Sequence, residues 1–208
     1  MTSTLTRQCD PATATTRSLL GWGAVAGPFY VAVSLAQALT RDGFDLARHP
    51  WSALENGPWG WVQSANLVLT GAMVLAFALG VRRALGAGWA PRMLAAYGVA
   101  LAAAGGFTAD PVAGFPAGSP GGTVSWHGTL HLAVGGIGFL GMIAACLVLA
   151  RRLPPGWALF SRVTGVAFLA AFAGITTGSP AATLPFVAGV VLSFGWLAGL
   201  AVRLYRTV

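Results

Sequence analysis

Six continuous apolar runs dominate the chain, at about 18–39, 61–81, 93–109, 126–150, 158–177 and 183–202, each bounded by Arg, Pro, Gly or Asp. A hydrocarbon core about 30 Å thick needs about 20 apolar residues per helical crossing. Each run has roughly that length, and together they use most of the 208 residues. Their continuity and their richness in Ala, Leu and Gly separate them from the alternating ~10-residue segments of a membrane β-barrel. The sequence predicts an all-α polytopic membrane protein, a six-transmembrane-helix bundle, with a single transmembrane domain over 18–205. The remainder is too short for a second folded module of the usual ~100–150 residues. Residues 1–17 are polar and rich in Thr and read as a disordered cytoplasmic tail. The first apolar run exceeds the ~7–15 residues of a signal-peptide core and reads as an uncleaved span.

Charge fixes the expected orientation. The chain carries 12 basic residues, every one an arginine, against 5 acids, a net charge of +7. In a soluble domain that balance would point to nucleic acid, but here the arginines sort by loop. Arg7, Arg17, Arg82, Arg83, Arg92, Arg151, Arg152, Arg162, Arg203 and Arg206 fall on one side of an alternating topology, and only Arg41 and Arg48 fall on the other, beside Asp42, Asp45, Glu55 and Asp110. Positive charge is retained in the cytoplasm during insertion. Both termini are therefore expected to be cytoplasmic in a multi-pass plasma-membrane protein whose surroundings are membrane lipids, with no nucleic-acid partner. Cys9 and Cys146 would lie on the reducing side and are expected to be free thiols. The GxxxG pairs Gly23/Gly27, Gly174/Gly178 and Gly195/Gly199 suit close helix packing within the bundle. Pro28 falls inside the first span and is expected to kink or tilt it.

The residues able to do chemistry gather on the opposite, outer side. All three histidines are there: His49 in the first loop, and His127 and His131 in WHGTLH at the start of the fourth run. The i,i+4 spacing puts the latter two on one helical face, and such a pair is a two-point chelate for zinc, to which a catalytic site adds a third protein ligand and a water. His49 is the expected third metal ligand, with Asp110 as an alternative. Asp110 also suits general-base or histidine-orienting work, and Ser52, three residues after His49, is placed to polarise a substrate carbonyl. The same residues fit a purely structural role, with the histidines bonded to loop carbonyls and Asp110 capping the turn at Pro111. Trp51, Trp59, Trp61 and Trp126 read as an interfacial aromatic belt. Together with Phe107 and Phe115 around Asp110, they would also suit acid-initiated cyclisation of a prenyl substrate through a carbocation.

From GWGAVAGPFYVAVSLAQALTRDGFDLARHPWSALENGPWGWVQSANLVLTG through FTADPVAGFP and WHGTLH to RRLPPGWALFSRVTGV, the chain resembles the domain of unknown function 998 family of small bacterial membrane proteins. That resemblance implies a six-helix integral membrane protein. A fainter similarity is to the CREST membrane hydrolases, which use a serine, an aspartate and three histidines, two of them in HxxxH, around zinc. It implies roles for Ser52, Asp110, His49, His127 and His131 in a hydrolase, although this chain has six apolar runs where those enzymes typically have seven spans. Two expectations follow. One is a metal-dependent hydrolase acting on an amphiphilic or lipid-like substrate from the outer leaflet. The other is a non-catalytic membrane protein that binds a lipid, small ligand or partner through the same face.

Overall fold

The computed structural model describes residues 10–208; Arg7 and Cys9 lie outside the described residues. It contains six long helices: α1 (Pro11–Thr40), α2 (Gly60–Leu85), α3 (Trp89–Gly106), α4 (Trp126–Leu149), α5 (Pro155–Ile175) and α6 (Thr183–Thr207). Two short 3₁₀ turns, Trp51–Glu55 and Pro180–Ala182, interrupt the loops. Strands are absent among the described residues, apart from a lone bridge between Val112 and Phe115.

The first helix starts earlier than its apolar run. Asp10 accepts hydrogen bonds from the N–H groups of Ala12 and Thr13, and Pro11 occupies the first helical position, where its missing N–H costs nothing. Thr15 and Thr16 donate their hydroxyls to the carbonyls of Pro11 and Ala12. Residues 11–17, expected as tail, therefore form the opening turns of α1. The helix runs on through Pro28.

Five segments are long and apolar enough to cross a membrane: α1, α2, α4, α5 and Pro180–Thr207. The chain is a membrane protein of multi-pass type. With 18 residues, α3 is about 27 Å long at ~1.5 Å per residue, and Pro91 and Arg92 in its first turn dilute its apolar character.

The helices form a closed ring in chain order, each packed on its neighbours and α6 returning to α1. The three-residue link between α2 and α3 makes them antiparallel. Gly80 of α2 abuts the backbone of Leu19 and Leu20, Arg17 lies 5.8 Å from the Tyr205 ring centroid, and the Arg152 guanidinium approaches Gly88. These contacts gather the starts of α1 and α3 and the ends of α2, α4 and α6 at one end of the bundle. Arg41 and Arg48 sit at the other.

The tightest seam is between α2 and α3. A Cβ on Gly71 would meet the Gly98 carbonyl oxygen at 2.6 Å, and one on Gly98 would meet the Gly71 oxygen at 2.9 Å. The two backbones touch because neither residue has a side chain, the device that packs helices where lipid supplies no hydrophobic drive. Of the GxxxG pairs, Gly23/Gly27 packs inward, Gly23 against Phe77 and Ala201 and Gly27 against Phe194. Gly199 meets Trp157, whereas Gly178 and Gly195 face open space. Between α1 and α2 a polar seam takes over: Gln37 Nε2 donates to Gln63 Oε1 at 2.9 Å, and Asn66 Nδ2 donates to the Tyr30 carbonyl at 3.2 Å and to Ser34 Oγ at 3.1 Å.

Because a Cβ at Gly71 has backbone rather than a flexible side chain in its way, Gly71→Val is expected to cost about 1–3 kcal/mol through overpacking. Gly195→Ala, which meets nothing, is expected to be neutral. Thermal unfolding in detergent compares the two, and equal midpoints would contradict the α2–α3 contact described here.

Candidate functional site

The outer end is built around the last turn of α3. The last carbonyls of any helix lack intrahelical donors, and here α4 donates to Ala104 in the last turn and to Phe107 and Thr108 just beyond it. His127 Nδ1 donates to the Thr108 carbonyl at 2.9 Å. One turn deeper, His131 Nδ1 lies 3.0 Å from the Ala104 carbonyl oxygen and 2.8 Å from that of Phe107. The i,i+4 spacing does put both rings on one face, and that face is turned to the carbonyl end of α3. The loop answers in kind at the start of α4: Asp110 accepts from the N–H (3.0 Å) and the hydroxyl of Ser125, whose hydroxyl in turn caps α4 by accepting from Gly128 N–H at 3.0 Å. A Cβ at Gly128 would stand 2.1 Å from Asp110 Oδ2, so the carboxylate reaches the helix start only because residue 128 is glycine.

Glu55, in the first 3₁₀ turn, enters the same corner. Its carboxylate has no exposed side-chain surface and lies 3.1 Å from His131 Nδ1, while also accepting from Ala109 N–H at 3.1 Å and Ser64 Oγ at 3.3 Å. Three acceptors around one ring nitrogen dictate that His131 carries its proton on Nδ1. Nε2 has no hydrogen-bond partner among the described residues.

His131 forms part of the wall of a cavity of about 460 Å³ enclosed by the helix ring. Two aromatic groups flank it. Trp51, Tyr30, Phe194 and Tyr97 follow one another at ring separations of 5.9, 4.9 and 6.0 Å, and Phe139 meets Phe168, Phe172 and Phe186 at 5.4 Å each. Ser52 lines the same space. So do Trp51 and Tyr97, whose indole N–H and hydroxyl are buried without a hydrogen-bond partner among the described residues. Leu132, 73% exposed, and the side-chain-free Gly135 and Gly136 of α4 line the cavity together with Ile175 and Thr176 of α5.

The expected residues divide accordingly. His49 is buried at a different place: its Nδ1 accepts from Asp45 N–H at 3.0 Å, so its Nε2–H donates to the Ala113 carbonyl at 3.0 Å. With both nitrogens engaged it has no lone pair for a metal, and its job is to tie the first outer loop to the second. Groups of three or more His, Cys, Asp or Glu side chains placed to share a metal ion are absent among the described residues. A three-ligand zinc centre on His49, His127 and His131 does not fit this arrangement. Asp110 belongs to the helix cap, and its hydrogen bonds from Ser125, hydroxyl first and N–H second, hold its carboxyl below the usual carboxylate range. That is the wrong direction for the acid of a prenyl cyclase, which must be protonated. Nor do the aromatics encircle Asp110: Phe115 packs on Phe44 and beneath Arg41, and Trp59, Trp61 and Trp126 face outward. Trp51, expected in that outward belt, is 5% exposed. Cys146 is buried and free.

Asp110 generates a pH prediction. A carboxylate held low by its folded environment stabilises the protein above its unfolded pKa, and the benefit is lost as pH falls through the folded value. Asp110→Asn is therefore expected to lower the unfolding temperature at neutral pH, by an amount that shrinks only below the ordinary carboxylate range. A deficit that is constant down to pH 2, or absent at pH 7, would contradict the capping role.

Residues 24–203 match the family described as "Protein of unknown function (DUF998)", and the chain belongs to that family. Comparison with curated proteins and with solved structures gave no match.

Proposed function

We propose that this DUF998 protein is a six-span protein of the plasma membrane, with both termini cytoplasmic, that takes a lipid-like amphiphile from the outer leaflet into its central cavity. The observation that carries this is the cavity itself. At about 460 Å³ it has the size of small-molecule sites, and it has their character too, with mostly apolar and aromatic walls and a few convergent polar groups. The polar side chains on its walls include the His131 imidazole and the Ser52 hydroxyl, and the head of an amphiphile has the groups to bond them. Its chain would lie along Phe139, Phe172 and Phe186. Entry between α4 and the end of α5, where Leu132, Gly135 and Thr176 line the cavity, would admit it from lipid. Support for the orientation comes from the arginine asymmetry. The sixth span is α3, whose Arg92 lies 5.4 Å from the Trp89 ring at the arginine-rich end.

Two experiments test this. Organic extraction and mass spectrometry of protein purified in mild detergent are expected to recover an amphiphile in near-stoichiometric amount. Gly135→Phe, which adds a side chain where nothing lies within 4 Å, should reduce retention about 10-fold with little change in unfolding temperature. Equal retention by both proteins would refute the site. For topology, in a Cys9→Ser background, a cysteine replacing the exposed loop residue Val124 should react with an impermeant maleimide on intact cells, and one replacing Val208 only after permeabilisation. The reverse pattern would invert the orientation.

A further inference from the structure

We propose that Ser52, His131 and Glu55 act as nucleophile, general base and positioning carboxylate in hydrolysing a carboxylic ester of the amphiphile held in the cavity; this rests on the ligand-binding reading above. Three observations converge. Glu55 Oε2 lies 3.1 Å from His131 Nδ1, and together with the Ala104 and Phe107 carbonyls it holds a proton on Nδ1, so that Nε2 is the nitrogen that serves as the base. Ser52 and Glu55 are three residues apart in one 3₁₀ turn, Trp51–Glu55, where side chains at i and i+3 eclipse about 6 Å apart. The third is that Ser52 and His131 both line the cavity.

The chemistry closes on water as the one co-reactant. Ser52 Oγ attacks the ester carbonyl carbon as His131 Nε2 takes the hydroxyl proton, and the carbonyl electron pair moves onto oxygen. Collapse of the tetrahedral species breaks the ester C–O bond, and His131 returns the proton to the departing alcohol. Water, deprotonated by the same Nε2, then attacks the acyl–Ser52 carbonyl, releasing the carboxylic acid and restoring the serine hydroxyl. Throughout, Glu55 holds the imidazolium in place. Neither Asp110 nor His49 takes part.

The test uses the full-length protein in mixed micelles, with a long-chain p-nitrophenyl ester as substrate and an alkyl fluorophosphonate as covalent probe. Wild-type protein is expected to release p-nitrophenol and to carry one phosphonyl adduct, mapped by peptide mass spectrometry to Ser52. In Ser52→Ala the adduct should vanish and turnover fall ~10³-fold or more, with unchanged thermal unfolding. Glu55→Gln should lower kcat ~10²-fold with KM unchanged, and Glu55→Asp should recover part of the loss, a split that a merely structural carboxylate would not produce. Protein that retains its amphiphile yet takes no adduct at Ser52, or a Ser52→Ala variant as fast as wild type, overturns the catalytic assignment and leaves the binding reading standing. Failure to retain any amphiphile counts against the binding reading itself.

Discussion

The outer architecture depends on the carbonyls at and just beyond the end of α3. A helix that stops near the membrane surface exposes acceptors that need donors, and α4 provides them with two imidazoles one turn apart. This contact has a chemical consequence beyond packing. By demanding a proton on Nδ1, the carbonyls of Ala104 and Phe107 leave Nε2 as the ring nitrogen free of protein partners at the wall of an apolar space. Glu55 reinforces that choice, and the α3–α4 loop is stitched to the same turn by Asn56, which donates from Nδ2 to the Ala109 carbonyl at 3.0 Å. Helix capping and the orientation of the ring are one interaction.

The turn that carries Ser52 and Glu55 is held from several sides. Arg41, at the end of α1, donates to the carbonyls of Leu54 and Asn56 and stacks on Phe115 at 4.8 Å. Thr183, at the start of α6, donates to the Arg48 carbonyl at 3.3 Å. His49 joins the two outer loops. A loop tied to α1, α6 and its neighbouring loop behaves as part of the scaffold, which is what a site needs from the residues that position its polar groups. The membrane below contributes only packing: glycine contacts between α2 and α3, and a hydrogen-bonded seam between α1 and α2.

Helix number and order were legible because each apolar run is long and bounded by arginine, proline or glycine. The misplaced ends have local causes. Asp10-Pro11 is a helix-start signal hidden by the polar threonines that follow, and the third run, taken from about 93, misses the helix start at Trp89 because Pro91 and Arg92 interrupt its apolar character, although proline is tolerated in a first turn. The HxxxH spacing correctly put His127 and His131 on one face. What the face meets depends on how α3 and α4 pack, and no spacing rule contains that. His49 looked like a ligand from its residue type, yet its two hydrogen bonds are to backbone groups of two loops that only the fold brings together. Glu55 was counted only among the outer acids. One signal was available: it is the single glutamate of an otherwise charge-poor chain, three residues from Ser52 in a segment rich in tryptophan and proline, where an unpaired carboxylate would be costly. Trp51 was grouped with the belt tryptophans because sequence position alone does not separate a loop that folds over a bundle from one that lies at its rim.

The most direct measurement of the central claim is the tautomeric state of each histidine, read from ¹⁵N shifts and two-bond ¹H–¹⁵N couplings of histidine-labelled protein. With three histidines in the chain, single substitutions assign every signal. The account predicts that His49 is protonated on Nε2, that His131 is protonated on Nδ1, and that adding a long-chain amphiphile shifts the His131 Nε2 resonance while leaving that of His49 in place. A His131 ring protonated on Nε2 alone, or one indifferent to the amphiphile, would contradict it.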